Sequence, residues 1–204
     1  MALPLMALKA DPSGGFGVLE TLLSHLRARK AAALIPKRLN KGRILDIGCG
    51  TRGLLLGRVD FEWKCGLDRR DVPPPTGARF VGADIGSSGN LPFADGSFDA
   101  VAMLAVIEHI DPERAPVLVS EARRILRDDG VLILTTPAGW TDPILETMAK
   151  VRLLSPREID EHEQTYTRDG LTSLLVRGGF DAASIRAGHF ELGANLWAVA
   201  EHAG

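Results

Sequence analysis

The sequence predicts an α/β fold, a doubly wound and mainly parallel seven-stranded sheet with helices on both faces. Three observations predict it. From residue 43 onward, short apolar runs alternate with helix-sized segments, the pattern of strands joined by crossover helices. The first run, RILDI, opens straight into a glycine-rich turn. The run GVLILTT at 130–136 is almost continuously apolar, as a parallel strand covered on both faces must be.

The elements follow in order. Residues 16–34 read as an amphipathic helix. Phe16, Leu19, Leu22, Leu23 and Leu26 recur near the helical period, Arg27, Arg29 and Lys30 fall elsewhere, and Pro36 ends it. RILDIG is the first strand, GLLLGRV (53–59) a helix-sized link, and WKCGLD (63–68) the second strand. After the turn-rich VPPPTG come ARFVGAD (78–84) and SFDAVAML (97–104) as the third and fourth strands. A helix is expected over 112–127, capped by Asp111 with Pro112 in its first turn. Its apolar face is Ala115, Leu118, Ala122, Ile125 and Leu126, and Arg123, Arg124 and Arg127 lie near its negative end. The turn DDG then leads into the fifth strand. Residues 138–165 break the alternation and read as an inserted helix and loop over one end of the sheet. A last helix runs from about Thr167 to Arg177 and stops at Gly178–Gly179. Strand-like stretches at about 180–190 and 194–201 complete the seven.

Composition narrows the function. At 204 residues, one domain is expected, with residues 1–40 as a helical extension and 138–165 as a lid or acceptor segment. Apolar residues make up 45% and charged residues 25%, and the net charge of −2 gives no basic excess for nucleic acid. The two cysteines, Cys49 and Cys65, lie in no CxxC and read as reduced thiols in a cytoplasmic protein. No apolar stretch reaches the roughly 20 residues that span a bilayer, so no membrane insertion is expected. No metal-ligand spacing is present. The oligomeric state is not legible.

In an open α/β sheet, ligands sit beyond the carboxyl ends of the strands, where the strand order reverses. The first such loop reads Asp46-Ile47-Gly48-Cys49-Gly50-Thr51-Arg52-Gly53. Glycines there let a ligand approach the backbone, and Gly48, Gly50 and Gly53 satisfy the GxGxxG spacing of dinucleotide folds. Asp68, at the end of the second strand, can accept both hydroxyls of a ribose. Asp84, at the end of the third, can accept from an adenine amino group with Ile85 against the ring. Both acids also suit ordinary turns. These residues point to an adenosine-containing cofactor of either type.

The same residues closely resemble the class I S-adenosylmethionine-dependent methyltransferases, in particular small bacterial members of the type-11 kind. ILDIGCGTRG resembles their first motif and GLD (66–68) their ribose strand. VGADIGSSGNLPFADGSFDAV resembles the third and fourth strands with their linker. VIEHIDP, ARRILRDDGVLILTTP and EIDEHEQTYTRDGLTSLLVRGGF resemble the elements that follow. The resemblance covers about residues 40–190. It implies S-adenosyl-L-methionine as cofactor, held by Asp46, Gly48, Cys49 and Gly50 around its methionine part, with backbone near Met103 and Leu104 on the same side. Asp68 would hold the ribose, and Asp84 and Ile85 the adenine. Two positions depart from the pattern. Arg52 stands where the third glycine is usual, with Gly53 next to it, and Ala105 stands where a polar residue is common.

The chemistry so implied is in-line displacement of a sulfonium methyl by a small-molecule acceptor. The protein aligns the partners and excludes water, and a base helps where the acceptor is a hydroxyl or an ammonium. His109, following the fourth strand, is a candidate base or a packing histidine. His162 and Tyr166, in and beside the inserted segment, are candidates to touch the acceptor or are solvated loop residues. Trp140 and Met148 line the acceptor pocket or pack in the lid. Two other functions stay open: an NAD-type oxidoreductase using the glycine spacing, and a non-catalytic module that binds S-adenosylmethionine.

Overall fold

Seven strands form one sheet in a computed structural model that describes residues 18–69, 77–88, 90–139 and 165–203. They are β1 (Arg43–Ile47), β2 (Trp63–Asp68), β3 (Ala78–Gly82), β4 (Phe98–Leu104), β5 (Leu126–Pro137), β6 (Ile185–Phe190) and β7 (Asn195–Glu201), in the order β3-β2-β1-β4-β5-β7-β6. The first five are parallel, and β7 runs antiparallel to both β5 and β6. The order reverses between β1 and β4, which places the ligand crevice above their carboxyl ends. The dinucleotide-binding order is 3-2-1-4-5-6. Here an antiparallel last strand is wedged between β5 and β6 instead.

Alternation along the strands sorts the core into two layers. Leu45, Ile47, Val101, Met103, Leu132 and Leu134 face one side. There they meet α3 (Ala115–Ile125) and α4 (Arg168–Arg177) through Leu118, Val119, Ile125, Leu171 and Leu175. Ile44, Ala100, Ala102, Val131 and Ile133 face the other side, toward α1 (Val18–Leu34). The short α2 (Ile85–Ser88) follows β3.

The α1 face differs from the expected leucine stripe. Ala28, Ala31 and Ile35 are buried, whereas Leu22 is 53% exposed. The sheet offers the small Ala100 and Ala102 on this side, so the helix can come close with its alanines. Phe16 lies outside the described residues.

The link at 53–59 is a chain of turns rather than a helix, with Gly57 N–H donating to Gly53 O and Val59 N–H to Leu55 O. Two glycines in so short a segment each cost a helix about 1 kcal/mol, and the buried Leu55 and Leu56 fix it by packing.

Other boundaries also move, and the third strand, expected over 78–84, ends at Gly82. The 112–127 helix starts at Ala115; the Asp111 carboxylate accepts the Glu113 N–H at 2.8 Å in the turn before it, and Arg114 takes the cap position. Arg127 belongs to β5. That strand begins at Leu126, and DDG forms an irregularity within it, with Asp129 at φ 62°. The stretch from 180 becomes a strand only at Ile185, after a turn capped by Asp181. The last helix has Thr167 as its N-cap, its hydroxyl accepting the Gly170 N–H. Cys65 and Cys49 pack on opposite faces of the sheet as free thiols. Most of the inserted segment, with Trp140, Met148 and His162, lies outside the described residues.

Candidate active site

The glycine turn grows directly out of β1. Gly48, Gly50 and Gly53 have φ of 69°, 62° and 52°, a left-handed conformation that side chains resist. The Gly48 N–H donates to Leu67 O at 2.7 Å, and the Gly50 N–H donates to Asp68 Oδ2 at 3.0 Å. A side chain on Gly48 would collide with Val106 of the loop after β4, while a Cβ on Gly50 would meet nothing within 4 Å. The turn is therefore pinned between β2 and β4 and open above Gly50.

Asp46 sits beneath it, 3% exposed, between the small residues Gly66 and Ala102 of the neighbouring strands. Burial first, and the Asp68 charge second, push its carboxyl up to about 8. The Cys49 thiol stacks over Gly66, whose Cβ position is 2.6 Å from Sγ. Burial and the Asp46 and Asp68 charges push that thiol up to about 12, so it stays protonated and apolar.

The other expected cofactor residues lie along the same edge. Asp84 is exposed just past β3 and accepts the Gly86 N–H at 3.0 Å, and the half-buried Ile85 opens α2. The Met103 side chain is wholly buried in the core and Leu104 half-buried, which leaves backbone as what Met103 presents to the crevice. Ala105 takes φ 55° and donates its N–H to Thr135 O. The Arg52 side chain reaches α1. Both guanidinium ends stand 3.3 Å from the Thr21 hydroxyl of α1.

Of the residues expected to meet an acceptor, His109 is half-buried at the end of the turn Ile107–His109. Tyr166 is buried, bridges Ala138, and accepts the Gly139 N–H on its carbonyl. Burial, and then the Glu108 charge, push its phenol up to about 12. Glu108 is a residue that sequence reasoning passed over. It is 2% exposed, and burial raises its carboxyl above the usual range against the opposing pull of His109 and Arg27. Its own backbone N–H and the Thr136 hydroxyl lie nearby, but neither carboxylate oxygen makes a hydrogen bond among the described residues. The available signal was an acid set between Ile107 and Ile110 in VIEHI. No group of residues that could hold a metal occurs among the described residues.

Comparison with known proteins bears on the family and the fold. A family model described as a methyltransferase domain matches residues 19–185. The sphingolipid C9-methyltransferase of Candida albicans is 27% identical over 132 residues, 56% of this chain and 26% of that protein. The chain spans about half or less of the curated relatives it matches. Among solved structures, the methyltransferase in complex with the Trm112 activator of Haloferax volcanii has a TM-score of 0.69 at 15% identity, over 89% of this chain and 91% of that one. An S-adenosylmethionine-dependent methyltransferase of Archaeoglobus fulgidus has a TM-score of 0.66 at 17% identity, over 88% and 93%. At these identities the structural likeness is one of fold.

Proposed function

The chain belongs to the methyltransferase domain family, whose methyl donor is S-adenosyl-L-methionine, and from that premise we propose that it methylates a small-molecule acceptor by in-line displacement. The observation that carries this reading is the pair of acids at the glycine turn. Asp46 lies buried below it and Asp68 is bonded to its Gly50 N–H. Burial, and then the Asp68 charge, raise the cost of ionising Asp46, and a pair of acids so placed suits a cationic ligand. A dinucleotide pyrophosphate would bring further negative charge to the same place. The open space over Gly50 supplies the room.

In this reading Asp46, Gly48, Cys49 and Gly50, with backbone at Met103 and Leu104, surround the methionine part. Asp68 receives the ribose, and Asp84 with Ile85 the adenine. The bound cofactor supplies an electrophilic methyl whose sulfonium leaves as a neutral thioether. The chain's own residues align the acceptor and keep water out. His109, Tyr166 and His162 are the proposed acceptor-side groups from the sequence. The net charge of −2 offers no field for nucleic acid, which supports a small acceptor. No described helix is long and apolar enough to cross a membrane, and a cytoplasmic setting is part of the proposal.

Calorimetric titration with S-adenosylhomocysteine, with NAD as control, tests it. Micromolar binding of the first and none of the second is expected. Binding of NAD alone overturns it. His109→Ala is expected to keep cofactor affinity and lower turnover; equal loss of both makes the histidine structural.

A further inference from the structure

Buried polar groups in folded proteins are almost always paired. Here seven of the nine such side-chain atoms among the described residues gather in one place, Arg43 Nε and Thr135 Oγ1 being the others. Among the described residues, Oε1 and Oε2 of Glu108, Oγ1 of Thr136, OH of Tyr166, Oε1 of Glu191, Oδ1 of Asn195 and Nε of Arg27 are all buried without a hydrogen-bond partner. The elements that carry them converge at the carboxyl ends of the parallel strands. Glu108 follows β4, Thr136 closes β5, Tyr166 bridges Ala138 just beyond β5, and Asn195 opens the antiparallel β7 opposite Pro137. Glu191 joins them through Asn195, and Arg27 reaches from α1, close enough to act on the carboxyls of both Glu108 and Glu191. The turn holding Glu191 is bent on purpose: Glu191 and Leu192 both have φ near 55°, a cost that persists only where surrounding structure imposes it.

The chemistry of the unpartnered atoms is one-sided. Asn195 commits its amide N–H to Glu191 Oε2 at 2.6 Å, so its remaining atom is an acceptor. Four of the oxygens can only accept when the acids are ionised, whereas Arg27 Nε is the sole atom of the group that can only donate. Atoms that can only accept outnumber the one that can only donate, and the two hydroxyls can do either. It also lies across β1 and β4 from Asp68 and Asp84, on the side that an adenosine held by those acids leaves free.

We propose that this cluster is the acceptor site, that the acceptor carries an amine, and that Glu108 takes the amine's proton. The proposal rests on the methyltransferase reading above and deepens it to N-methylation. A bound ammonium gives one proton to the Glu108 carboxylate. The freed nitrogen lone pair forms the new N–C bond while the C–S electron pair stays on sulfur. The products are a methylated ammonium, a neutral thioether and protonated Glu108. An amine brings two or three N–H donors to Glu108, Asn195 and Glu191, where a hydroxyl brings one. The groups facing Glu108 are His109 beside it, Arg27 from α1, Thr136 from β5 and Tyr166. Burial opposes its ionised form, while His109, Arg27 and Thr136 favour it.

The test uses the full chain saturated with S-adenosylhomocysteine, and benzylammonium and benzyl alcohol as probes. Saturation itself is read first: failure of S-adenosylhomocysteine to bind sinks the methyltransferase reading, and this proposal with it. With the cofactor product bound, benzylammonium is expected to bind at least tenfold more tightly than benzyl alcohol. Its affinity is expected to rise with pH as Glu108 ionises. Glu108→Gln should abolish both the preference and the pH dependence while leaving S-adenosylhomocysteine affinity within twofold. Preference for the alcohol, no binding of either probe, or an unchanged preference in Glu108→Gln overturns the proposal. Asn195→Leu, which removes an acceptor without touching the acid, is the second variant should Glu108→Gln not fold, and a loss of preference of at least threefold is expected.

Discussion

The Gly50 backbone N–H donates to Oδ2 of Asp68 at 3.0 Å, so the acid that ends β2 shapes the glycine turn that ends β1. One side chain thus presets the turn and, in the proposed function, also receives the ribose. Asp68→Ala removes both. A loss of about 1–3 kcal/mol in S-adenosylhomocysteine binding is expected, the scale of a charged hydrogen bond. Asp68→Asn keeps an acceptor oxygen for Gly50 and should recover part of it. Calorimetry decides, and unchanged affinity in the alanine variant removes Asp68 from the site.

Asp46 makes the unliganded protein pH-sensitive. Its carboxyl is pushed up to about 8 in the folded chain from an ordinary 3.8. Between those values the folded state holds a proton that the unfolded state releases. This contribution to stability is complete below the unfolded value and is lost as pH rises through the folded one. The midpoint of urea unfolding should therefore fall between pH 5 and pH 8.5. Asp46→Asn, neutral throughout, should flatten that slope. An identical slope in the variant would mean that another group governs it.

Arg52 interrupts the usual glycine pattern, and its guanidinium stands 3.3 Å from the Thr21 hydroxyl of α1. Arg52→Gly is expected to change S-adenosylhomocysteine affinity by less than threefold. It should cost at most about 0.5–1 kcal/mol of stability, as exposed contacts do. A tenfold gain in affinity would show that the arginine obstructs the turn after all.

The strands of this fold were legible because burial on both faces forces near-continuous apolar runs. WKCGLD coincides with β2 to the residue, and RILDIG overruns β1 by Gly48 alone. Local chemistry also showed through where one side chain serves its own neighbourhood, as Thr167 does in capping α4. What stayed hidden depended on the partner surface. Leucine spacing pointed to one face of α1, but Ala100 and Ala102 on the sheet select its alanines. The loop 53–59 has a helix's length, yet its two glycines and its packed leucines make turns. Of the proposed acceptor cluster, the sequence singled out Tyr166 alone. Residues 27, 108, 136, 166, 191 and 195 share no spacing, and only the wedging of β7 beside β5 collects them.

Arg124 is the clamp on the linker between α2 and β4. Its guanidinium donates to both Glu121 oxygens at 2.7 Å, to Asp95 at 2.6 Å, and to the carbonyls of Phe93 and Leu91 at 2.9 and 3.2 Å. Glu121 in turn accepts the Leu91 N–H at 3.0 Å. Only a planar fork can serve these acceptors together. The side chain keeps 31% of its exposure, which lowers the worth of each bond. Arg124→Ala should therefore cost about 1.5–2 kcal/mol, a fall in Tm of roughly 3–8 °C for a chain of this size. Arg124→Lys should recover little of it. Asp95→Ala should cost under about 1 kcal/mol, since Asp95 is 81% exposed. Thermal unfolding of the three variants separates these cases, and a lysine variant as stable as the wild type would mean that charge alone, not the fork, holds the linker.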